Sequence, residues 1–344
     1  MLDDINKEFE RKHLAGIRKT QQQVREDYQK AIDKIYKEAS QLKARGNAFS
    51  ITDYPEFNKK VDQFLKTFHA DVTVTLNNGI KGEWELSMEK NATVIHKNYK
   101  KIIDDIDRMI YDPQSAALEQ FVNRQVGGLG LSDRVWKYTN QFQAEIEQNL
   151  YVGVQAGTPA AEMARDQTQY LEQPDKLFRR VRDAEGVLRL SKAAKEYKPG
   201  QGIYRSSYKN AMRLTRDTVN DSYRQADMVR YQSLPFVLGY DVNLSNSHPR
   251  VDICDDLKGL YPKTFIWLKW HNQCLCSCTS RLASPAEFDR YQDAILAGTA
   301  DKFIFTGTVN SLPNQFKTYV TSNQGTMDGW KRKPDWVTMN NVKI

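Results

Sequence analysis

Cysteine is nearly missing from this 344-residue chain: there are four, and none lies outside residues 254–278. So sparse a supply excludes a disulfide scaffold, in which thiols are spread along a short secreted chain. Long apolar runs are missing too. No stretch approaches the roughly 18 residues of a membrane span, and the opening "MLDDINKEFERKH" has no apolar signal core. The expectation is a chain without a membrane span, kept in the cytosol or in a particle assembled there. Reducing conditions then make a disulfide the weakest of three explanations for the thiol cluster, behind a metal site and small apolar filler. Enzyme signatures are absent as well. "GGLG" at 127–130 is followed by no Gly-Lys-Ser/Thr, and no GxGxxG occurs. His-Glu-x-x-His is missing, as is His-x-Glu with Pro-Cys-x-x-Cys, which removes the zinc-protease and deaminase patterns.

What is present is charge. Charged residues make up 27% of the chain, hydrophobic residues 40%, and mean hydropathy is −0.68, a balance suited to helices with long solvated faces. The length implies two or three domains. The net charge is +7, but residues 176–230 alone hold fourteen Lys and Arg against six Asp and Glu. Such a segment suits phosphate or an acidic surface. Its candidate phosphate contacts are Arg205, Arg213, Arg216, Arg224 and Arg230. Ordinary charge scatter on a solvated helix would give the same count.

Periodicity predicts a long helix over residues 1–48, with Leu14, Ile17, Val24, Tyr28, Ala31, Ile35 and Leu42 at heptad spacing. Its narrow stripe needs a partner, and an antiparallel hairpin with a helix entered through Asp53 and Pro55 is favoured over a coiled coil between copies. Residues 71–110 read two ways: a β-hairpin turning at Asn78-Gly79, or a continued helix. Val135, Thr139, Phe142, Ile146 and Leu150 form the inner stripe of a helix that Ser132 can cap and Gly157 ends. After Pro235 the pattern changes. "FVLGYDVNLSN" and "TFIWLKW" read as strands. The expected architecture is mainly α, with long N-terminal helices and a helical bundle, plus a small C-terminal α+β module stapled by a metal. The expected segments are 1–125, a helical region; 126–235, a helical middle domain with the basic stretch; 236–285, the Cys/His module; and 286–344, a helix and a tail that either docks on a partner or, the favoured reading, packs on its own domain.

Within the module the pattern is Cys254, sixteen residues, then His271-x2-Cys274-x-Cys276-x-Cys278. A two-residue gap lets both ligands reach one ion, and a distant arm closes the site. Four closed nitrogen and sulfur ligands make a structural zinc site with no open position, supplying stability that a unit of about fifty residues lacks. The competing account is that Cys274, Cys276 and Cys278 alternate along a strand as small hydrophobes. His248 and Asp252 are further possible ligands, whereas His13, His69 and His96 fall in helical stretches.

"SNSHPRVDICDDLKGLYPKTFIWLKWHNQCLCSC" resembles the C-terminal signature of the phage Mu F-like head-morphogenesis family, minor capsid proteins of tailed phages and prophages. Cys254, Gly259, Tyr261, Pro262, His271, Cys274 and Cys276 match it. "LSDRVWKYTNQFQAEIEQNLYVGVQAGTPAAEMARDQTQYL" and "NAMRLTRDTVNDSYRQAD" are similar to the family's helical segments, so the likeness covers about residues 130–285. The chain departs from the pattern at His271-Asn272 for His-Pro, Cys274-Leu275-Cys276 for Cys-Arg-Cys, and Arg216-Asp217-Thr218 for Arg-Thr-Glu; Asp252 replaces a second upstream Cys, and Cys278 is extra. The resemblance implies a non-enzymatic virion protein, assembled in the host cytoplasm, in the capsid interior or at the portal vertex. Its implied partners are the portal protein, packaged double-stranded DNA and other capsid or scaffold proteins, with a homo-oligomer open. Two alternatives remain: a metal-dependent nuclease built from His248, Asp252, Asp255 and His271, and an effector ejected with the genome.

Overall fold

A computed structural model describes residues 2–42, 49–174, 180–182, 184–190, 204–245 and 251–342. It is mainly helical, with a small antiparallel sheet near the C-terminus. The chain does not divide into successive segments. It forms two units, each assembled from separated stretches: Met1–Ile17, Gly79–Val122 and Asp217–Ile344 in one, Arg18–Asn78 and Asn123–Arg216 in the other. Three of the four boundaries, at 17/18, 78/79 and 216/217, fall inside long helices.

The first helix, α1 (Leu2–Ala39), and the second, α2 (Pro55–Asn98), begin as the periodicity requires. Ile17, Val24, Tyr28, Ala31 and Ile35 of the heptad stripe are buried, while Leu14 is half-buried. The partner is the second helix, as the hairpin reading has it. In the second unit Lys60 pairs with Glu38 at 2.6 Å and Thr75 donates to Asp27 at 3.0 Å, contacts that run in opposite directions along the two chains. The alternative β-hairpin at Asn78-Gly79 does not form, because Val72, Leu76, Ile80 and Trp84 continue one buried stripe at i, i+4 spacing. That burial overrides about 1 kcal/mol of helix cost at the glycine.

The second unit is completed by α5 (Leu131–Ala156), α6 (Ala160–Glu172) and a short hairpin, β1 (Arg180–Arg182) with β2 (Leu188–Leu190). The expected inner stripe of α5 is buried from Val135 to Leu150, and Gly157 ends the helix at φ +68°, a conformation glycine adopts without penalty. The cap is Gly130 rather than Ser132, its N–H held by the Asp133 carboxylate at 3.0 Å.

The first unit holds α3 (Asp104–Tyr111), α4 (Ser115–Val122), most of α7 (Ser207–Ser233) and the sheet. Strand β3 (Val237–Asn243) lies between β4 (Gly259–Tyr261) and β5 (Ser277–Leu282), both antiparallel to it. Gly239 sits at a shift in the β3–β5 register, where an added Cβ would lie 2.8 Å from the Tyr261 carbonyl oxygen. "TFIWLKW" is not a strand. Phe265, Trp267, Leu268 and Trp270 are buried, and side chains satisfy the backbone instead: Asn340 accepts from Ile266 N at 2.6 Å and donates to its carbonyl at 2.8 Å. The short helix α8 (Ile253–Leu257) precedes β4, and α9 (Pro285–Leu296) follows β5. Of the two readings of the tail, packing on its own unit is the one found: it forms α10 (Asn314–Asp328) and α11 (Asp335–Thr338), burying Phe316, Met327, Trp336 and Val337.

Candidate metal centre

Cys254 stands on α8, whose start is fixed by Asp252. The Asp252 carboxylate accepts from Cys254 N at 2.8 Å, while Asp255 accepts from Asp252 N at 3.0 Å, a reciprocal cap. The second arm is the turn His271–Cys274, closed by Cys274 N donating to the His271 carbonyl at 3.2 Å. Gln273 turns it with φ +62°. That left-handed residue is clamped by Asp217 of α7, whose carboxylate accepts from Gln273 N at 2.6 Å. One turn further along α7, Asp221 holds Lys269 at 2.6 Å.

These elements bring Cys254, His271 and Cys274 together, with one ligand atom of each within 4.8 Å of the other two. The Cys254 and Cys274 sulfurs are 3.7 Å apart. A tetrahedral ion with metal–sulfur bonds of about 2.3 Å requires about 3.8 Å between its sulfurs, so the donor set fits a metal. Both thiols are buried and His271 is half-exposed. Its Nδ1 lies 2.8 Å from the Asn272 carbonyl oxygen and its Nε2 3.3 Å from Asp252. Both ring nitrogens thus face oxygen acceptors, so a metal would take the nitrogen that gives up its contact; Asp252 fixes the backbone of Cys254 and faces the His271 ring.

The thiols are coupled. Contacts with Cys254 and then Cys276 hold Cys274 far below the usual thiol range, while the contact with Cys274 pushes Cys254 up. A stabilised thiolate is the form that binds metal. Cys276 interacts with both of these sulfurs but lies outside the group whose ligand atoms all fall within 4.8 Å of one another. Cys278 is not part of the group. It lies in β5 opposite Val242, with its sulfur 3.5 Å from the Asp227 carboxylate and 4.0 Å from the Tyr231 hydroxyl. Burial, then the Asp227 charge, pushes it up to about 12, so it remains a protonated thiol. His248 lies outside the described residues.

The five candidate phosphate contacts separate. Arg205 is exposed, and Arg213 and Arg216 are half-buried. Arg224 and Arg230 are fully buried and turned inward. Arg224 donates to both oxygens of Glu10, at 2.7 and 2.9 Å. Arg230 donates to the carbonyls of Met109 and Asp112. A phosphate could reach neither without opening the core. Much of the basic segment, residues 175–179, 183 and 191–203, lies outside the described residues.

Sequence reading missed a buried charge network under the sheet. Asp227 accepts from Ser87 at 2.6 Å, Asn91 at 2.8 Å and Lys90 at 2.6 Å. His13 lies 2.5 Å from Glu83 and 3.1 Å from Asn220; burial lowers its pKa despite the Glu83 contact. The available signal was the spacing of Asp217, Asp221, Arg224 and Asp227 on one helical face. No helix among the described residues is long and apolar enough to cross a membrane. The sequence matches no protein-family model, and no curated protein or solved structure is significantly similar to it.

Proposed function

We propose that the chain is a structural, non-enzymatic head protein of a tailed phage or prophage, seated at the portal vertex against packaged double-stranded DNA. Its C-terminal module is stapled by zinc held through Cys254, His271 and Cys274, with Cys276 closing the set. The observation that carries this reading is the convergence of Cys254, His271 and Cys274 within 4.8 Å, because these positions also carry the resemblance to the Mu F-like signature. Thiolate and imidazole donors favour zinc among common divalent ions. With Cys276 drawn in as the fourth ligand no place is left for an activated water, and zinc would supply stability here rather than chemistry. Arg205, with Arg213 and Arg216, is the DNA-facing set this reading retains.

The nuclease alternative draws on the His271–Asp252 pair, 3.3 Å apart. It has less support, because the other Asp252 oxygen is engaged at Cys254 N and the Asp255 carboxylate at Asp252 N. An effector ejected with the genome would differ in destination alone. Quantitative mass spectrometry of purified particles tests the assignment. A few copies per portal ring are expected, and abundance in the infected cell with none in particles would overturn it.

A further inference from the structure

Two thiols far apart in the chain meet at the candidate metal centre. Cys254 arrives on α8, and Cys274 on the turn that Asp217 clamps through Gln273 N. Their sulfurs lie 3.7 Å apart across a separation of 20 residues. A disulfide bond is about 2.05 Å long, so closure needs about 1.7 Å of approach. That is less than the swing of one sulfur between side-chain rotamers.

The other two thiols are placed less well for such a bond. Cys276 stands one residue beyond Cys274, and a ring that small strains a disulfide. It also interacts with Cys254, as the weaker of that residue's two sulfur contacts. Cys278 faces Asp227 and Tyr231 instead. Cys254 and Cys274 are buried, but Asn272 is exposed and His271 and Gln273 are half-exposed, so Cys274 is the buried end of a surface turn.

A metal ion and a disulfide would draw on the same two sulfurs and exclude each other. An ion that loses both keeps His271 and Cys276 from the proposed ligand set, fewer donors than a closed site requires. We propose that Cys254 and Cys274 are a reversible redox pair, in which a peroxide closes a disulfide between the two arms and expels the ion. This deepens the metal reading, on which the release of an ion rests; the closing of the bond does not depend on it. With hydrogen peroxide, the Cys274 thiolate attacks one oxygen, the S–O bond forms as the O–O bond breaks, and the leaving hydroxide takes a proton to become water. The Cys254 thiolate then attacks the Cys274 sulfur. The S–S bond forms, the S–O bond breaks, and its oxygen leaves as a second water after protonation. The two thiolates give up two electrons, which reduce the peroxide. A dithiol reductant reverses the change. The bond joins the same two arms as the ion, so the module exchanges one staple for another.

The test is hydrogen peroxide, in small molar excess, on the purified full chain after its zinc content has been measured. Released zinc is read with a chromogenic indicator, and the thiols by alkylation and peptide mass spectrometry. One Cys254–Cys274 disulfide should form for each ion released, bound zinc should fall at least about tenfold, and dithiothreitol should regenerate both thiols. Cys278 should stay reduced, and Cys278→Ser should respond as the unsubstituted chain does. Thiols left intact, oxidation to sulfinic acid that dithiothreitol does not reverse, or a bond to Cys276, Cys278 or a second copy would overturn the proposal. The two readings fail separately. A chain that purifies without metal and still closes the disulfide keeps the redox pair and loses the zinc site. A chain whose zinc stays bound under peroxide keeps the zinc site and loses the pair.

Discussion

Replacing Asp227 by alanine should nearly unfold the first unit. The carboxylate is fully buried and accepts from Ser87, Asn91 and Lys90, at 2.6, 2.8 and 2.6 Å. Arg224 stands 3.8 Å away. Alanine strands the Lys90 ammonium, 3% exposed, with the Tyr223 ring face 4.9 Å away as remaining compensation. Breaking a buried pair costs about 3–5 kcal/mol, and each orphaned neutral donor adds about 1 kcal/mol or more. These losses overlap, so about 4–6 kcal/mol is expected, against a total stability of about 5–15 kcal/mol for a domain. Adding Lys90→Met to Asp227→Ala removes both charges and should recover at least about 2 kcal/mol of that loss. Urea denaturation followed by far-UV circular dichroism measures all four corners of the cycle. A cost below about 1 kcal/mol for Asp227→Ala, or strict additivity in the double variant, would refute the reasoning.

Protein purified under reducing conditions should carry about one metal ion per chain by elemental analysis, and Cys254→Ser and Cys274→Ser should lose it with partial unfolding of the C-terminal module. Cys278→Ser should keep it, whereas Asp252→Asn should weaken metal affinity about 10–100-fold in a chelator competition. Because the folded pKa of His13 is depressed, its contribution to stability is complete above the unfolded value of about 6.5 and is lost as pH falls below it. His13→Gln should therefore flatten the fall in urea stability between pH 7 and pH 5; an unchanged slope would place that dependence elsewhere. Charge reversal at Arg205, Arg213 and Arg216 should weaken salt-sensitive binding to DNA of any sequence, while Arg224→Ala and Arg230→Ala should lower thermal stability first; a fully folded Arg224→Ala variant would count against its buried pairing with Glu10.

The helical class, the stripe of α5 and the gathering of Cys254, His271 and Cys274 were legible because each is a local pattern or a spacing rule. Three features were not. Residues 71–98 offered both periods, and the choice depended on what their stripe packs against. "TFIWLKW" has strand composition, but Asn340, seventy-odd residues away in sequence, takes the Ile266 backbone groups that a neighbouring strand would have paired. Cys278 continues the alternation of Cys274 and Cys276 and is buried like them. Its neighbours, Asp227 and Tyr231, belong to another element.

The basic excess of residues 176–230 misleads for a related reason. Counting charges along a helix treats each as facing water, yet α7 turns a polar face toward its own unit. Asp217 holds the Gln273 amide, Asp221 holds Lys269, Arg224 lies 5.9 Å from the Trp267 ring centroid, and Asp227 meets Cys278. The spacings of four, three and three residues keep all four on one side. Their contacts fall between residues 267 and 278, a stretch that contains the His271–Cys274 turn. This helix is thus a template on which the candidate metal turn is laid: Asp217 holds Gln273 within it and Asp221 holds Lys269 just before it. Template and metal should therefore act together: Asp217→Asn, which weakens the clamp at Gln273 N, should lower metal affinity without touching a ligand. An unchanged affinity would mean that the turn holds its shape without α7.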